Sequence, residues 1–537
     1  MLKNYASIIW KTAIFVFMAT EVLDKEKQYD VVVIGAGNAG LMAALNLQRA
    51  GHKTLIVEQH NLPGGCASSY VRGRFEMDPS LHELAGVGTL ENPGSVRKMF
   101  QDLDLPIKWV DVKDCFRVIG KYSDGSPMDV TIPSGRYNMI DAMEKYVPGT
   151  RKKMEKLFRL FDEVNDGLNF FSKTDKYDLR YAIKHFGNML VVGSHSSKIV
   201  FKALRLPQRC IDILSTYWSY LGVDLGHLSF LHYAMMVRCY LDDGAHIPTF
   251  TSHELSVALE DKFRELGGDI WFNCRAESII FENDQVAGVK TAYGDIRCKY
   301  VMANVNDDIV YGKMVPKKYV TSRLRRLSNA RKQRYSARMF TVHLGLDVTR
   351  EELGINDYSI FMVGTADSEK EYSNMMKGFD SNEFTILVCY NVVNPKASPE
   401  GTCICSLTTF GSPVDWDPLK PEDYAEYKTK CAEKLMMNLK EKTGIDLFGH
   451  VEEIAIATPW TFARYLGTPE GCVYGHATTD WDDIISRTLQ MNKDYPIKGV
   501  RPIGAGGPRG DGYSSAYQCG EMMAQIAIKE LDGEAAV

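Results

Sequence analysis

Continuous apolar runs alternate with stretches of helical spacing in the first and last parts of the chain. The apolar runs at residues 30–34 and 53–57 are typical of buried parallel strands, and residues 41–50 between them have helical spacing. Further along, the same patterns predict helices at residues 254–267 and 514–529, and strands at residues 269–274, 277–281, 286–291 and 300–303. Strands that alternate with helices in this way predict an α/β fold.

The middle of the chain has a different pattern in two blocks, residues 108–245 and 312–445. The first block is rich in helical spacings. The second alternates apolar and polar positions at residues 338–346 and 383–390, which predicts an antiparallel sheet. The first block also concentrates aromatic and methionine side chains, namely Phe170, Phe171, Trp218, Tyr220, Phe230, Tyr233, Met235 and Met236. Such side chains either form a core or line an apolar tunnel, and core is the commoner role.

The segment at residues 5–20 is mostly apolar, but it contains Lys11 and is shorter than the ~20 residues that cross a bilayer. Three roles are open for it. It could be a helix packed on its own protein or on a partner, an interfacial membrane helix with Trp10 and Lys11 at headgroup level, or a targeting signal. The polar residues 21–28 that follow are expected to form a linker.

Composition excludes some classes of function. The 537 residues include 63 Lys and Arg against 68 Asp and Glu, a net charge of −5. A nucleic-acid partner is therefore not expected, since phosphate binding needs a clustered basic excess. Hydrophobic residues make up 45% of the chain and charged residues 24%, which is typical of a globular protein. The 12 cysteines are scattered without a C-x-x-C pair, which favours a reducing compartment and a cytoplasmic location.

A dinucleotide-binding motif joins the first predicted strand to the first predicted helix. Gly35 permits a tight turn, Gly37 lets the backbone approach a pyrophosphate, and Gly40 lets helix and strand pack closely. The helix N-terminus supplies N–H groups for the phosphates. Glu58, 23 residues after Gly35, is placed to accept hydrogen bonds from the ribose. The nucleotide contacts predicted from this motif are Gly35, Gly37, Asn38, Ala39, Gly40 and Glu58.

Two further motifs make the cofactor more specific. Residues 63–65 read P-G-G, and residues 75–82 read F-E-M-D-P-S-L-H. With these motifs the chain resembles the FAD-binding flavoproteins of the glutathione-reductase superfold, in the branch of phytoene desaturases, carotenoid isomerases and retinol saturases. Flavin amine oxidases are more distant relatives. Asp78 and His82 match the pattern of the branch, whereas Ser80 stands where the branch usually has glycine.

The resemblance implies FAD as the cofactor and an α/β fold of two parts, a Rossmann-like FAD-binding domain of glutathione-reductase type and a discontinuous α+β substrate domain. The expected boundaries are 1–27 for an apolar helix and linker, 28–107, 246–311 and 446–537 for the FAD-binding domain, and 108–245 and 312–445 for the substrate domain. The further FAD contacts that the resemblance implies are Gly64, Gly65, Cys66, Ala276, Gly504, Gly510, Gly512, Tyr513 and Ser514. The branch usually has arginine at the position of Cys66, and Arg72 or Arg74 is the candidate replacement.

The resemblance also implies which side chains take part in the chemistry. Hydride transfer at a C=C bond needs an acid or base at the neighbouring carbon. His82 is the first candidate, and the alternative is a histidine bonded within a core. Tyr513 is a weaker candidate as a proton donor, and Arg464 as a clamp for a polar head group. No second G-x-G-x-x-G follows a strand, so an external electron donor or acceptor must recharge the flavin, or the reaction is redox-neutral.

The expected function is an FAD-dependent oxidoreductase that saturates, desaturates or isomerises a C=C bond of a long hydrophobic polyene, retinoid or unsaturated fatty acid. Two alternatives stay open, a flavin amine oxidase and a non-catalytic flavoprotein scaffold. Ten Lys and Arg residues from Lys313 to Arg338 form either a solvated helix face or a surface attracted to anionic lipid. The expected partners are therefore a hydrophobic small molecule and, at the periphery, a membrane.

Overall fold

A computed structural model describes residues 27–172, 178–332, 335–477, 487, 497–508 and 512–533. The apolar segment at residues 5–20 and the predicted FAD contact Gly510 lie outside the described residues. Within the described ranges, no helix combines the length and the apolar character that crossing a bilayer requires.

The described helices, in chain order, are α1 Asn38–Arg49, α2 Ser95–Asp102, α3 Arg136–Tyr146, α4 Arg151–Ser172, α5 Leu179–Val192, α6 Ser197–Ala203, α7 Gln208–Ser215, α8 Phe230–Asp242, α9 His253–Glu265, α10 Asp307–Ile309, α11 Ser322–Arg331, α12 Ser368–Met376, α13 Pro413–Trp416, α14 Tyr424–Thr443, α15 Pro459–Leu466 and α16 Tyr513–Leu531.

The described strands are β1 Val31–Ile34, β2 Thr54–Val57, β3 Tyr70–Arg72, β4 Phe75–Met77, β5 Leu84–Ala85, β6 Trp109–Val112, β7 Asp114–Lys121, β8 Pro127–Pro133, β9 Ala245–Pro248, β10 Asp269–Trp271, β11 Ala276–Glu282, β12 Gln285–Thr291, β13 Gly294–Arg297, β14 Tyr300–Ala303, β15 Met339–Leu346, β16 Ser359–Met362, β17 Thr385–Cys389, β18 Cys403–Phe410, β19 Val451–Ala457 and β20 Val500–Pro502.

A five-stranded parallel sheet has the order β10-β2-β1-β14-β20. Every residue of β1, β2 and β14 is buried, as expected of apolar runs that are covered on both faces of a sheet. Helices α1, α9 and α16 pack on one face, and the three-stranded sheet β11-β12-β13 packs on the other. The strands predicted at residues 30–34 and 53–57 and the α/β fold are confirmed.

Helix α16 comes from the end of the described chain but packs directly on α1. The approach is close, since a Cβ atom added at Gly520 would lie 2.4 Å from the backbone oxygen of Ala39. Strand β20 joins the same unit, because Val500 pairs with Val301 of β14 at the edge of the parallel sheet. Strand β20 and helix α16 therefore belong to the same sheet and helix layer as β1, β2 and α1 from the start of the described chain.

A seven-stranded sheet has the order β19-β15-β18-β17-β16-β7-β8 and is antiparallel except for the pair β16 and β7. Strands β15 and β17 confirm the antiparallel sheet predicted at residues 338–346 and 383–390. One face packs on the first helical block, α3 to α8, in a core rich in aromatic side chains. The other face is covered by α14.

The basic run from Lys313 to Arg338 is not a single solvated face. Arg331 is buried and donates a hydrogen bond of 2.7 Å to Asp307, and His476 bonds the same carboxylate at 2.8 Å. Arg338 is paired with acidic side chains elsewhere in the fold. The interpretation of the run as a solvated or lipid-facing surface is wrong at these two arginines, because Arg331 is buried against Asp307 and Arg338 is paired with Asp417 and Glu470.

Candidate functional site

One cavity of about 1380 Å³ lies where the ends of β1, β2 and β14 face strands β15 and β19 of the second sheet. Loops that follow parallel strands converge at one edge of a sheet, which is where α/β folds commonly bind ligands. The predicted site residues that line this cavity are Gly35, Gly37, Asn38, Ala39, Glu58, Gly64, Gly65, Cys66, His82, Ala276, Arg464, Gly504, Gly512, Tyr513 and Ser514. Residues far apart in sequence thus meet at a single site.

Asn304, directly after β14, holds two glycine loops close together. A Cβ atom at Gly37 would lie 2.7 Å from its Nδ2 atom, and a Cβ atom at Gly504 would lie 2.3 Å from its Oδ1 atom. Both positions therefore exclude a side chain. Asn304 is not among the site residues predicted from the sequence, although its place at the end of a buried strand is a usable signal.

Gly40 does not line the cavity, and its role is to allow close packing beneath the first loop. A Cβ atom at this position would lie 2.0 Å from the backbone oxygen of Gly35. Gly35 itself has φ +96°, a conformation that glycine adopts without strain. This contact is the close approach of helix and strand that the motif predicts.

Glu58 lines the part of the cavity that lies beside the start of β11. Its carboxylate accepts hydrogen bonds from the N–H groups of Ala36 at 2.6 Å and of His60 at 2.8 Å. The N–H group of Cys274 donates to the backbone oxygen of Glu58 at 2.7 Å, which brings Ala276 to the same wall. A ribose and an adenine ring fit this end, because carboxylate and backbone groups are available to both.

The second glycine loop lies beside the first. The N–H group of Gly64 donates to the backbone oxygen of Ala36 at 2.8 Å. Burial and the charge of Asp78 raise the pKa of the Cys66 thiol to about 12, so Cys66 carries no charge at neutral pH. Arg72 lines the cavity, whereas Arg74 is committed to Glu452. Of the two candidate replacements for a pyrophosphate contact, the structure therefore favours Arg72.

Two helix N-termini face the cavity. Gly37 precedes α1 and Gly512 precedes α16, both glycines line the cavity, and in the described residues no side chain caps either helix start. The first-turn N–H groups are therefore open to oxygen atoms of a nucleotide, and the positive end of each helix dipole favours negative charge there. The amide oxygen of Asn38 is buried with no partner in the described part of the chain. The residues present thus fit FAD.

Tyr513 connects the N-terminus of α16 to the second glycine loop. Its hydroxyl group donates to the backbone oxygen of Cys66 at 3.0 Å and lies 3.0 Å from the Oγ atom of Ser80. Ser80 also donates to the oxygen of Cys66, at 2.9 Å, so the serine that replaces the usual glycine takes part in this network. Burial raises the pKa of Tyr513 well above its ordinary value, and the hydroxyl group stays protonated.

The other two predicted catalytic residues lie on different parts of the cavity wall. The Nε2 atom of His82 is 3.3 Å from the Oγ1 atom of Thr408, and burial lowers the pKa of His82 to about 4. His82 is therefore neutral at pH 7. Arg464 is exposed on α15 at the edge of the cavity, and its guanidinium lies 5.8 Å from the ring centre of Tyr465. A clamp for a polar group is compatible with that position.

The cavity extends into an apolar chamber next to the first helical block. Its side chains are aromatic, methionine and leucine residues, namely Tyr220, Leu221, Met235, Met236, Tyr240 and Met339. Trp218, Phe230 and Tyr233, which belong to the same predicted set, are buried in the core instead. Both roles that the sequence left open, core packing and cavity lining, therefore occur. On α8 they are taken by neighbouring side chains.

Glu83 is a second residue of the cavity that is absent from the site predicted from the sequence. It lines the cavity between His82 and β5, and it is only 6% exposed. The hydroxyl group of Tyr220 donates to its Oε1 atom at 2.8 Å. The sequence feature that could have revealed Glu83 is its acidic side chain within the mostly apolar residues 81–85, next to the motif at residues 75–82 that matched the family.

The chain is similar in sequence to several curated enzymes. Residues 30–105 match the family model described as FAD dependent oxidoreductase. The human all-trans-retinol 13,14-reductase is 24% identical over 86% of this chain and 78% of its own length. The chloroplastic prolycopene isomerase of Daucus carota is 23% identical over 84% and 72%, and the neurosporene-forming phytoene desaturase of Rhodobacter capsulatus is 25% identical over 92% and 93%.

Solved structures show the same fold. An oxidoreductase from Methanosarcina mazei matches with a TM-score of 0.60 and 15% identity, over 92% of this chain and 99% of that protein. The cyclohexylamine oxidase of Brevibacterium oxydans matches with a TM-score of 0.61 and 14% identity, over 94% and 100%. The predicted resemblance to phytoene desaturases, carotenoid isomerases and retinol saturases is confirmed, as are FAD as the cofactor and the assignment of the chain as an FAD-dependent oxidoreductase.

Proposed function

We propose that this FAD-dependent oxidoreductase saturates, desaturates or isomerises a C=C bond in a long hydrophobic polyene, retinoid or unsaturated fatty acid. The observation that carries the proposal is the shape of the cavity, because one continuous space joins the nucleotide loops to the apolar chamber. The enzymes similar in sequence are named for a retinol, prolycopene and phytoene, whereas the similar amine oxidase shares the fold at 14% identity.

The finer architecture belongs to the same proposal. We assign the parallel sheet and its glycine loops to a Rossmann-like FAD-binding domain of glutathione-reductase type, built from residues 28–107, 246–311 and 446–537. The substrate domain is then formed by residues 108–245 and 312–445. Free cysteine thiols, most of them buried, support a cytoplasmic location.

In this proposal each part of the cavity has a separate task. FAD supplies hydride chemistry when it is bound. Glu58 and the N-termini of α1 and α16 hold the nucleotide and orient it. The chamber around Met235 and Tyr240 holds the apolar substrate and excludes water from it. An external electron donor or acceptor serves as the partner that returns the flavin to its starting state.

An anaerobic reoxidation experiment tests the proposed function. The purified holoenzyme is bleached with dithionite, and excess reductant is removed. All-trans-retinol, prolycopene and phytoene are then added separately while the flavin absorbance and the products are followed. At least one of these probes should restore the flavin colour as one of its double bonds is saturated, or be isomerised at catalytic enzyme concentration, or, when added to the oxidised enzyme instead, bleach the flavin as it is desaturated.

Two controls distinguish the alternatives. Putrescine and cyclohexylamine are offered to the oxidised enzyme in air, with hydrogen peroxide as the readout. Peroxide release with an amine and no change in any polyene would replace the proposal by an amine oxidase. A flavin that neither reductant nor any probe alters would indicate a scaffold without catalysis.

We further propose that helices α5 and α6 rest on an anionic lipid bilayer. Leu179, Ile183 and Val191 are 65%, 58% and 65% exposed, which is unusual for a group of large apolar side chains on one helix. The sequence from residue 179 to residue 211 contains six Lys and Arg residues and no Asp or Glu. Two of the six, Lys198 and Arg209, pair with Glu369 and Asp124, and the other four form no ion pair within the described residues. Exposed apolar side chains beside an exclusively basic sequence match the interface of a negatively charged membrane.

This surface also lies next to the proposed substrate chamber. Helix α5 packs beside α8, and α8 carries Met235, Met236 and Tyr240 of the chamber wall. One helix, α8, therefore lies between the proposed lipid-facing surface and the substrate chamber. This surface differs from the two alternatives that the sequence offered for a membrane contact, residues 5–20 and the basic run from Lys313 to Arg338.

We expect the double variant Ile183→Glu, Val191→Glu to bind vesicles at least tenfold more weakly than the wild type. Each new carboxylate would have to leave water and approach anionic lipid headgroups. The measurement is co-sedimentation with vesicles that contain phosphatidylserine, at low and high salt. The matched control is Leu90→Glu, Val414→Glu, which changes two similarly exposed apolar residues outside α5 and α6. Equal loss of binding in both double variants would contradict the assignment.

A further inference from the structure

Glu83 lies at the junction between the two parts of the cavity. Tyr220 binds its Oε1 atom from the substrate side, while the oxygen of Ala85, two residues further along, accepts a hydrogen bond from Ser514 at the start of α16. The Oε2 atom of Glu83 is buried and has no hydrogen-bond partner in the described part of the chain. A buried carboxyl oxygen without a partner, on a cavity wall, is expected to meet a ligand.

The titratable side chains around Glu83 are mostly tyrosines, which carry no charge at neutral pH. The titratable groups that interact with it from the neighbouring elements are Cys115 of β7, Tyr217 and Tyr220 before the turn at residue 222, Tyr240 of α8, Tyr358 before β16 and Tyr390 after β17. Burial raises the pKa of Glu83 to about 8, and the hydrogen bond from Tyr220 opposes this rise only in part. No described lysine or arginine forms an ion pair with its carboxylate.

Its neighbour His82 has the opposite property. Burial lowers the pKa of His82 to about 4, so its imidazole carries no additional proton at pH 7. At the same pH the carboxyl group of Glu83 is mostly protonated, because its raised pKa lies above the pH. At pH 7, therefore, Glu83 holds a proton that it can transfer, and its neighbour His82 has no additional proton to give.

We infer that Glu83, rather than His82, is the catalytic acid that exchanges a proton with the carbon next to the site of hydride transfer. This inference rests on the proposed function and assigns the proton to a residue of the same cavity. The geometry supports it, since Glu83 lines the cavity, its Oε2 atom has no hydrogen-bond partner in the described part of the chain, and Tyr220 holds the other carboxyl oxygen.

The step balances in the direction of saturation. One carbon of the double bond receives a hydride, with two electrons, from the reduced flavin, and the other carbon receives the carboxyl proton of Glu83. The π bond is lost, two C–H bonds form and Glu83 is left as a carboxylate. Water returns the proton to Glu83, and the external electron donor reduces the flavin again. In the direction of desaturation each of these transfers is reversed, and the Glu83 carboxylate accepts the proton.

The test compares Glu83→Gln with the wild type and with Glu76→Gln, a control on an exposed residue of the same segment outside the cavity. With all-trans-retinol as the probe, kcat for saturation should fall about 100-fold or more in Glu83→Gln, as general acid catalysis is worth 10²–10⁴ in rate. In the wild type the rate should fall as the pH rises through about 8, and this limb should be absent from Glu83→Gln. Glu83→Asp, which keeps a carboxyl group, should recover part of the rate.

A second readout needs no turnover. The infrared spectrum of the wild type at pH 6.5 should contain a band from a buried protonated carboxyl group that Glu83→Gln lacks and Glu76→Gln retains, and FAD content should be equal in all three proteins. A rate in Glu83→Gln within threefold of the wild type, or a band that persists in it, would overturn the inference. Failure of the wild type itself with retinol, prolycopene and phytoene would instead overturn the proposed function, and the infrared comparison would still decide whether Glu83 holds the proton.

Discussion

Replacing Gly40 with alanine should deprive the protein of most of its FAD and lower its free energy of unfolding by about 2–3 kcal/mol. The added methyl group would lie 2.0 Å from the backbone oxygen of Gly35. Backbone on both sides of the contact must then move, and overpacking of this kind typically costs about 1–3 kcal/mol. The displaced loop is the one that carries Gly37 toward the nucleotide, so binding should fail together with stability. Flavin absorbance per protein and urea unfolding measure the two effects.

Gly187 provides the matched control for this change. It also lies within a helix, but a Cβ atom at Gly187 would have no heavy atom within 4 Å. Gly187→Ala should keep its flavin and be unchanged or slightly more stable, because alanine is favoured over glycine in helices by about 1 kcal/mol. If Gly40→Ala bound FAD as well as Gly187→Ala did, the close packing of α1 under the first loop would not be needed for the cofactor.

Replacing Arg331 with methionine should lower the free energy of unfolding by about 3–5 kcal/mol, the usual cost of removing one partner of a buried ion pair. Asp307 is 2% exposed, and among the described residues its carboxylate would then keep the hydrogen bond from the His476 side chain but no ion pair with arginine. The site should suffer as well, because the backbone at Asp307 lies against Gly506 of the C-terminal glycine loop. Urea unfolding and FAD titration are the measurements, and Lys332→Met, at the exposed neighbouring position, is the control.

The difference in the free energy of unfolding between the wild type and Arg331→Met should become smaller at low pH. Burial raises the pKa of Asp307, but the hydrogen bond from His476 and the charge of Arg331 outweigh burial and lower the pKa to about 2. The stabilisation is therefore complete above the ordinary pKa of 3.8 and is lost as the pH falls toward 2. The stability gap between the wild type and Arg331→Met should narrow over that range. A gap that stayed constant down to pH 3 would show that the ion pair is not its source.

The part of the site that depends on local sequence was predictable. Gly35, Gly37 and Gly40 occur in one short loop between a strand and a helix, and their spacing alone defines a turn, a close approach and a packing contact. The same holds for the buried strands, because an apolar run determines burial on both faces without knowledge of the neighbours. Periodicity and glycine spacing report on short-range geometry, and the structure agrees with them.

The parts that depend on tertiary contact were not predictable in the same way. The place of Asn304 at the end of a buried strand is visible in the sequence, but its contacts with Gly37 and Gly504, which lie far from it along the chain, are not. Glu83 gains its raised pKa from burial beneath distant tyrosines, which a sequence does not display. Likewise, Met235 lines the cavity while Tyr233, two residues earlier, is in the core, because the direction of each side chain depends on how α8 packs.

The late position of β20 and α16 in the chain has a consequence for biosynthesis. Gly504 can meet Asn304, and Gly520 can meet Ala39, only once the residues between them have been synthesised. The first glycine loop, at residues 35–40, is translated early. The C-terminal glycine loop that completes the site, from Gly504 onward, is synthesised more than four hundred residues later. A nascent or prematurely terminated chain therefore has an open nucleotide cradle, and loading with FAD is expected to be the last event in maturation rather than a nucleus for it.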